Sequence, residues 1–370
     1  ASMIHNEMRK HGIKLVLGYT VEGFKEKDNG VEVLLKDNPS LQADMVVLAI
    51  GVTPDTALAK EAGLELGIKG SIVVNDRMET SVPDIYAAGD AVQVKHYVTG
   101  DDALISLAGP ANKQGRIIAD NICGGDSRYL GSQGSSVIKV FDITAATTGI
   151  NETNAKKSGL EVDTVILSPM SHAGYYPGGK VMTMKVVFEK DTYRLLGAQI
   201  IGYEGVDKRI DVLATAIHAG LKATQLKDLD LAYAPPYSSA KDPVNMAGFM
   251  IDNIAKGTLK QWHLEDMDKI SKDKSVVLLD VRTVGEFNRG HMDGFKNIPV
   301  DELRERINEI EKGKPVYLIC QSGLRSYIAS RILEGNGYET YNFSGGFRFY
   351  DVVVNDRVLI ERSYVCGMDY

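Results

Sequence analysis

Apolar and polar positions alternate with several different periods along the chain, and each period predicts an element. At the start, Met3 to His11 carries apolar residues at helical spacing and predicts an amphipathic helix, with Lys14 to Leu17 as a short strand after it. Val21–Glu26 and Val31–Leu35 flank Asp28-Asn-Gly30, a turn signal, and predict a hairpin. Asp44 to Gly51 is a continuous apolar run that predicts a buried strand, and Ile85 to Ala88 predicts another. A helix is expected to open near Gly109-Pro110 and run to about Ile122.

From about Gly134 the pattern changes. Ser136–Phe141, Val162–Ser168, Val181–Glu189 and Arg194–Ile201 predict an antiparallel sheet. Asn151 or Glu152 is placed to cap a helix over Ala155–Gly159, and Val206–Ala219 has helical spacing. Near Ile254–Thr258 a linker separates this α+β segment from a last one. In that segment Val276–Asp280, Val316–Ile319 and Glu339–Phe343 predict buried strands, Asp301–Lys312 an amphipathic helix, and the residues after Cys320 a second helix. The chain therefore reads as a multidomain α/β and α+β protein. The expected domains cover residues 1–51, 52–133, 134–254 and 258–370.

The chemistry gathers at Cys320-Gln-Ser-Gly-Leu-Arg325. A cysteine at the carboxyl end of a buried parallel strand and the amino end of a helix stands at the sheet edge where ligands bind. Loop N–H groups and the helix dipole favour an anion there, so the reactive thiolate form is expected. Gly323 and Arg325 complete an anion cradle with Gln321, Ser322 and Leu324. A buried structural cysteine is the plainer alternative. Asp280 and Arg282 read as a structural ion pair, and His291 as a turn residue.

Composition narrows the field of partners. The 370 residues carry a net charge of −7 with no long run of one sign, which gives no footing for nucleic acid or an anionic membrane surface. No apolar run approaches the length of a membrane span. The cysteines Cys123, Cys320 and Cys366 form no disulfide framework and no Cys-x-x-Cys pair, which fits a reducing cytoplasm. The histidines show no ligand spacing, so no metal is expected.

Two further stretches carry candidate sites. Tyr86-Ala-Ala-Gly89-Asp90 offers a close backbone approach at Gly89 and a carboxylate at Asp90 suited to a sugar or ribityl hydroxyl. A turn with a helix cap is the plainer reading. Gly109, Pro110 and Ala111 open the following helix and can aim N–H groups at an electron-rich ring edge. The other stretch comprises two tyrosine clusters, His172-Ala-Gly-Tyr175-Tyr176-Pro and Ala232-Tyr233-Ala-Pro-Pro-Tyr237. Phenols on loops stiffened by proline and glycine can donate a proton, or pack at an interface.

Leu279-Asp-Val-Arg282, Glu286-Phe-Asn-Arg-Gly-His291-Met-Asp-Gly-Phe-Lys-Asn-Ile-Pro299, the Cys320 loop and Gly345-Gly-Phe347 resemble the rhodanese family of sulfurtransferases over roughly Thr258–Tyr350. The resemblance implies that Cys320 takes a sulfane sulfur as a persulfide and passes it to a nucleophile. The four residues between Cys320 and Arg325 resemble the sulfur-transferring form of the loop; related phosphatases have one more. Gly345-Gly346 is expected to let the backbone pass close to that loop.

Upstream, Ala49-Ile-Gly51-Val-Thr-Pro54, Tyr86–Asp90 and Ala108-Gly-Pro-Ala-Asn112 resemble two-dinucleotide-binding flavoprotein disulfide reductases, with residues 134–254 similar to their dimerisation domain. The resemblance implies FAD contacts at Gly51, Gly89, Asp90, Gly109, Pro110 and Ala111. With Gly205-Val-Asp-Lys-Arg-Ile-Asp211, the tyrosine clusters resemble CoA-disulfide reductases, in which a tyrosine pair of one subunit reaches the CoA site of the other. Tyr175 and Tyr233 are the expected pair, with Tyr237 next.

The whole chain thus resembles CoA-disulfide reductases, or NADH-dependent persulfide reductases, fused to a rhodanese domain. That family implies FAD, NAD(P)H and CoA as cofactors. As partners it implies small-molecule thiols, CoA persulfide or disulfide, sulfane-sulfur donors and a second subunit. The first FAD-binding half, its redox cysteine and the NAD glycine motif do not occur in this sequence, and Cys123 lies in a helix tail. The chain is therefore expected to start inside a domain, to bind FAD weakly or not at all, and to transfer sulfur without reductase activity. Cys366 is either a resolving thiol or a bystander. The competing expectation is a dimerisation and docking module whose rhodanese domain binds without catalysis.

Overall fold

The computed structural model describes residues 1–365 and divides the chain into two compact units. Cys366 lies outside the described residues.

Of the described residues, the first unit comprises 1–96, 100–132 and 354–365. Its helix Ser2–Lys10 and the hairpin Val21–Lys27/Gly30–Leu35 match the sequence pattern. A third strand, Asn38–Ala43, extends the hairpin and was not legible. Three expected strands are corrected. Residues 14–17 and 44–51 form no ladder, and the apolar run of the latter is open to solvent, with Met45 75% and Ile50 89% exposed. An apolar run becomes a strand only where a neighbouring backbone takes its N–H and C=O groups, and among the described residues none does. Ile85–Ala88 reduces to an isolated bridge between Glu79 and Tyr86. The helix Ala108–Ile122 forms as expected, and its buried Gln114 ties it to the Gly89 turn.

In the second unit, the strands Ser136–Val140, Ile143–Gly149, Leu195–Gly202, Met182–Glu189 and Val162–Leu167 lie in that order across one antiparallel sheet. Apolar residues of this sheet share a core with the helices Val206–His218 and Pro243–Ala255. Asn151 caps the helix Glu152–Lys157 through its side chain.

The same unit holds a parallel sheet ordered Gln261–Trp262, Thr340–Phe343, Val316–Ile319, Val277–Asp280, Lys296–Asn297. The edges of the two sheets meet through side chains. Gln261 Nε2 donates to the Thr164 carbonyl at 2.8 Å, His263 Nε2 stands 3.1 Å from Asp163, and the Ile166 N–H donates to Ser344 Oγ at 3.1 Å. Edge groups that would otherwise be unpaired are thereby covered.

The helix expected over Asp301–Lys312 is corrected to turns and a short 3-10 segment, Ile307–Glu309. Leu303 and Ile310 are pinned in the core, and the single proton of the Tyr338 hydroxyl is shared between the carbonyls of Ile307 and Ile310 at 3.2 and 3.1 Å. Tertiary packing and that hydroxyl override helical spacing here.

Candidate functional site

Strand Val316–Ile319 ends in the core, and Cys320 follows at 1% exposure. The chain then turns through Gly323 (φ 101°), a left-handed conformation that suits glycine, into the helix Leu324–Glu334. This folds the loop back over the sulfur. The Gly323 N–H points at Cys320 Sγ at 3.1 Å and Ser326 Oγ lies 3.2 Å from it. Both are donors that favour a negative sulfur.

The loop is held from three sides. The Cys320 and Gln321 carbonyls accept from the N–H groups of Phe347 and Arg348 at 2.8 and 3.2 Å. Gly346 makes that approach possible: a Cβ there would come within 2.6 Å of the Ser322 nitrogen. Arg282, buried and paired in two-pronged fashion with Asp280, reaches Gln321 Oε1 at 3.4 Å and lies 3.9 Å above the Phe347 ring. The expected structural ion pair is therefore also a buttress of the loop. His291 stacks on Phe287 and stands 3.1 Å from its carbonyl, in an irregular segment between the turns at Arg289 and Asp293-Gly294. Gln321 and Ser322 are half-buried, while Leu324 is exposed.

Arg325 is where sequence reasoning left a part out. Its guanidinium donates two 2.7 Å hydrogen bonds to Glu286, whose carboxylate also accepts from the Thr283 backbone N–H. Thr283-x-x-Glu286 is a capping box, legible in the sequence, although its link to Arg325 was not. The Arg325 bond, chiefly, holds the Glu286 carboxyl down at about 2 against an ordinary 4.5. A carboxyl lowered on folding stabilises the fold above its unfolded value and loses that contribution as pH falls through its folded value. Urea denaturation followed by Trp262, the only tryptophan and part of this sheet, should therefore show stability falling between about pH 4.5 and about 2. Glu286→Gln should flatten part of that slope; Glu309, also held at about 2 by Arg306, accounts for another part. An unchanged slope in Glu286→Gln would remove the clasp from the account.

The tyrosine clusters converge within the chain. The hydroxyls of Tyr175 and Tyr233 share a 2.7 Å hydrogen bond. Tyr237 does not join it but lines the adjoining cleft, about 490 Å³, with Tyr233, Lys208 and Arg209. Arg209 is the unforeseen organiser. Its buried side chain pairs with Asp242 at 2.9 Å and donates to the carbonyls of Ser171 (2.9 Å) and Tyr237 (3.3 Å), one on each tyrosine loop. Tyr233 titrates above the ordinary tyrosine range because of its bond to Tyr175. Tyr175→Phe should return it toward that range in an NMR titration of ring-labelled tyrosine; an unmoved resonance would contradict the pairing.

In the first unit, Gly89 (φ 80°) starts a short turn with Asp90, its N–H donating to Gln114 Oε1 at 2.7 Å. A Cβ on Gly89 would stand 3.9 Å from that of Ala111. The fold thus brings Gly89 and Asp90 to the amino end of the helix Ala108–Ile122, where Gly109 and Pro110 lie and no side chain caps the backbone. Exposed Asp90, the glycine backbone and the open N–H groups suit a flavin's ribityl chain and ring edge. Gly51 is exposed, and among the described residues no hydrogen bond joins it to that turn. Exposed Cys123 caps the far end of the same helix.

Family profiles agree with this division of chemistry. The pyridine nucleotide-disulphide oxidoreductase profile matches residues 1–115, its dimerisation domain residues 135–243, and the rhodanese-like domain residues 263–350. Among curated relatives, a CoA-dependent NAD(P)H sulfur oxidoreductase of Pyrococcus abyssi is 37% identical over 65% of this chain and 54% of its own length. A coenzyme A disulfide reductase of Staphylococcus aureus is 36% identical over 66% and 55%. The chain thus spans about half the length of these relatives.

Among solved structures, the reduced CoADR-RHD of Bacillus anthracis superposes with a TM-score of 0.93 at 46% identity, covering 96% of this chain and 64% of that one. An NAD-dependent persulfide reductase of A. fulgidus gives 0.87 at 40% identity, with 95% and 63% covered. The chain belongs to the pyridine nucleotide-disulphide oxidoreductase family and carries a rhodanese-like domain behind its dimerisation domain.

Proposed function

We propose that the rhodanese-like domain is a sulfurtransferase in which Cys320 carries sulfane sulfur. We further propose that it serves a flavin- and NAD(P)H-dependent reductase of CoA disulfide or persulfide. The observation that carries the first part is the Cys320 sulfur, held by two donors in a loop closed over it by Gly346. The thiolate attacks the outer sulfur of thiosulfate or a thiol persulfide. The donor S–S bond breaks, and sulfite or a thiolate leaves with the electron pair. An acceptor thiolate then attacks the outer sulfur of the Cys320 persulfide, and Cys320 leaves as the thiolate. Loop N–H groups from Gln321 to Arg325 hold the persulfide, and Arg325, oriented by Glu286, supplies positive charge at the loop's helix end.

The relatives' names support the second part. In this reading residues 1–51 belong to an NAD-binding domain, 52–133 to an FAD-binding domain, 134–254 to a dimerisation domain and 258–370 to the rhodanese-like domain. Gly89, Asp90, Gly109, Pro110 and Ala111 would hold FAD, with Gly51 at the crossover; a flavin held there would supply the redox chemistry between NAD(P)H and a disulfide. Tyr175 and Tyr233, with Tyr237 beside them, would place a phenolic proton at a thiol or CoA site in a homodimer. Among the described residues no helix is long and apolar enough to cross a membrane, and the cysteine pattern suits a cytoplasmic setting.

The test is sulfur transfer from thiosulfate or a thiol persulfide to an acceptor thiol by the 370-residue chain. Turnover is expected. With FAD and NADH added, reduction of CoA disulfide by these 370 residues alone is not expected. Absence of transfer from every donor overturns the sulfurtransferase reading.

A further inference from the structure

Behind the Cys320 loop, one carbonyl oxygen has more donors than lone pairs. The Gly323 carbonyl is within 3.1 Å of the Tyr327 N–H, of Ser326 Oγ and of Asn342 Nδ2. A carbonyl accepts two hydrogen bonds comfortably. The Tyr327 N–H is a fixed helical donor and takes one position. Ser326 has a single hydroxyl proton and two acceptors to choose from, this oxygen at 3.1 Å and Cys320 Sγ at 3.2 Å. Which one it serves depends on whether Asn342 fills the second lone pair.

We infer that Asn342 is a positioning residue of the sulfur site: its amide occupies the Gly323 carbonyl and commits the Ser326 proton to Cys320 Sγ. The inference rests on the reading of Cys320 as the sulfur carrier. Three observations support it. Asn342 stands on strand Thr340–Phe343 in register with Leu318, two residues before Cys320, and is 4% exposed. Its Oδ1 has no partner, so the residue leaves an acceptor buried in order to present Nδ2. The opposite rotamer would set two oxygens against each other at Gly323, which fixes the amide's direction. In the resting loop the sulfur then has two committed donors, the Gly323 N–H and the Ser326 hydroxyl. The same pair stabilises the Cys320 thiolate when it leaves in the second half of sulfur transfer.

The prediction is that losing the Asn342 donor acts on the sulfur through Ser326. In the 370-residue chain, alkylation of Cys320 by iodoacetamide is followed against pH, with the Cys320 peptide resolved by mass spectrometry. Ser326→Ala and Asn342→Leu, which keeps the shape and removes the donor, should each move the alkylation profile to higher pH. Each should slow alkylation at neutral pH by about tenfold, the scale of one hydrogen bond to a charged group. The double variant should be no slower than either single one. Asn342→Ala removes the same donor without bulk and should give the same shift if the leucine variant melts early. An Asn342 variant with the parent profile beside a shifted Ser326→Ala, or effects that multiply in the double variant, would overturn the inference. No sulfur donor is present, so a parent chain that fails to transfer sulfur leaves this test intact and counts only against the sulfurtransferase reading.

Discussion

Cys320→Ser is expected to reduce sulfur transfer to background, a loss on the order of a thousandfold or more, as for removal of other covalent nucleophiles. A serine hydroxyl is not ionised near neutral pH and cannot store sulfur as a stable persulfide. The substitution is also conservative in structure. Cys320 is 1% exposed, and both groups that face its sulfur, the Gly323 N–H and Ser326 Oγ, can bond a hydroxyl oxygen instead. The Trp262-detected unfolding transition should therefore stay close to that of the parent while the activity disappears. Cys123→Ser, at an exposed helix end, should leave transfer unchanged. Retained transfer in Cys320→Ser would remove this cysteine from the chemistry.

Arg209→Met should produce a large loss of stability. Arg209 and Asp242 are both buried, and breaking such a pair from one side costs about 3–5 kcal/mol because the remaining charge has no counter-ion. Asp242 keeps bonds from the Ser238 hydroxyl (2.6 Å) and the Val244 N–H (3.0 Å), which places the expected loss near the lower end of that range. Urea denaturation followed by circular dichroism should show a midpoint lower by on the order of 1–2 M. The double change Arg209→Met/Asp242→Leu should recover part of the loss, since it removes the stranded charge. The loops should also separate, because Arg209 bonds a carbonyl on each, and the raised titration of Tyr233 should fall back. An unchanged midpoint would mean that the Ala173 N–H to Ser238 carbonyl bond (2.9 Å) suffices to join them.

What the sequence disclosed follows the range of the interactions concerned. The Cys320 loop was legible because strand, turn and helix are adjacent in the chain and each has a local signal. Glycine at 323 and 346 belongs to the same class: one needs a positive φ, and at the other a side chain would strike the loop. The pairing of Tyr175 with Tyr233 came from the family resemblance, since nothing local links residues 58 positions apart. Glu286, Ser326, Asn342 and Arg209 acquired roles only from the fold. Asn342 meets Gly323 because its strand pairs in parallel with Val316–Ile319, the strand that leads into the Cys320 loop, an order no local pattern discloses. The misassigned strands teach the converse. The run through Met45 and Ile50 has the composition of a buried strand, yet strand formation depends on partners that composition does not contain. In the Asp301–Lys312 segment, helical spacing was real, but Tyr338 and the core claimed the carbonyls a helix would have used.

Whether Cys320 carries sulfur can be read by peptide mass spectrometry of the 370-residue chain after exposure to a thiol persulfide or thiosulfate. A gain of one sulfur atom is expected on the Cys320 peptide, removed by a reducing thiol and absent from the Cys123 peptide. An unmodified Cys320, or sulfur found on Cys123 alone, would contradict it.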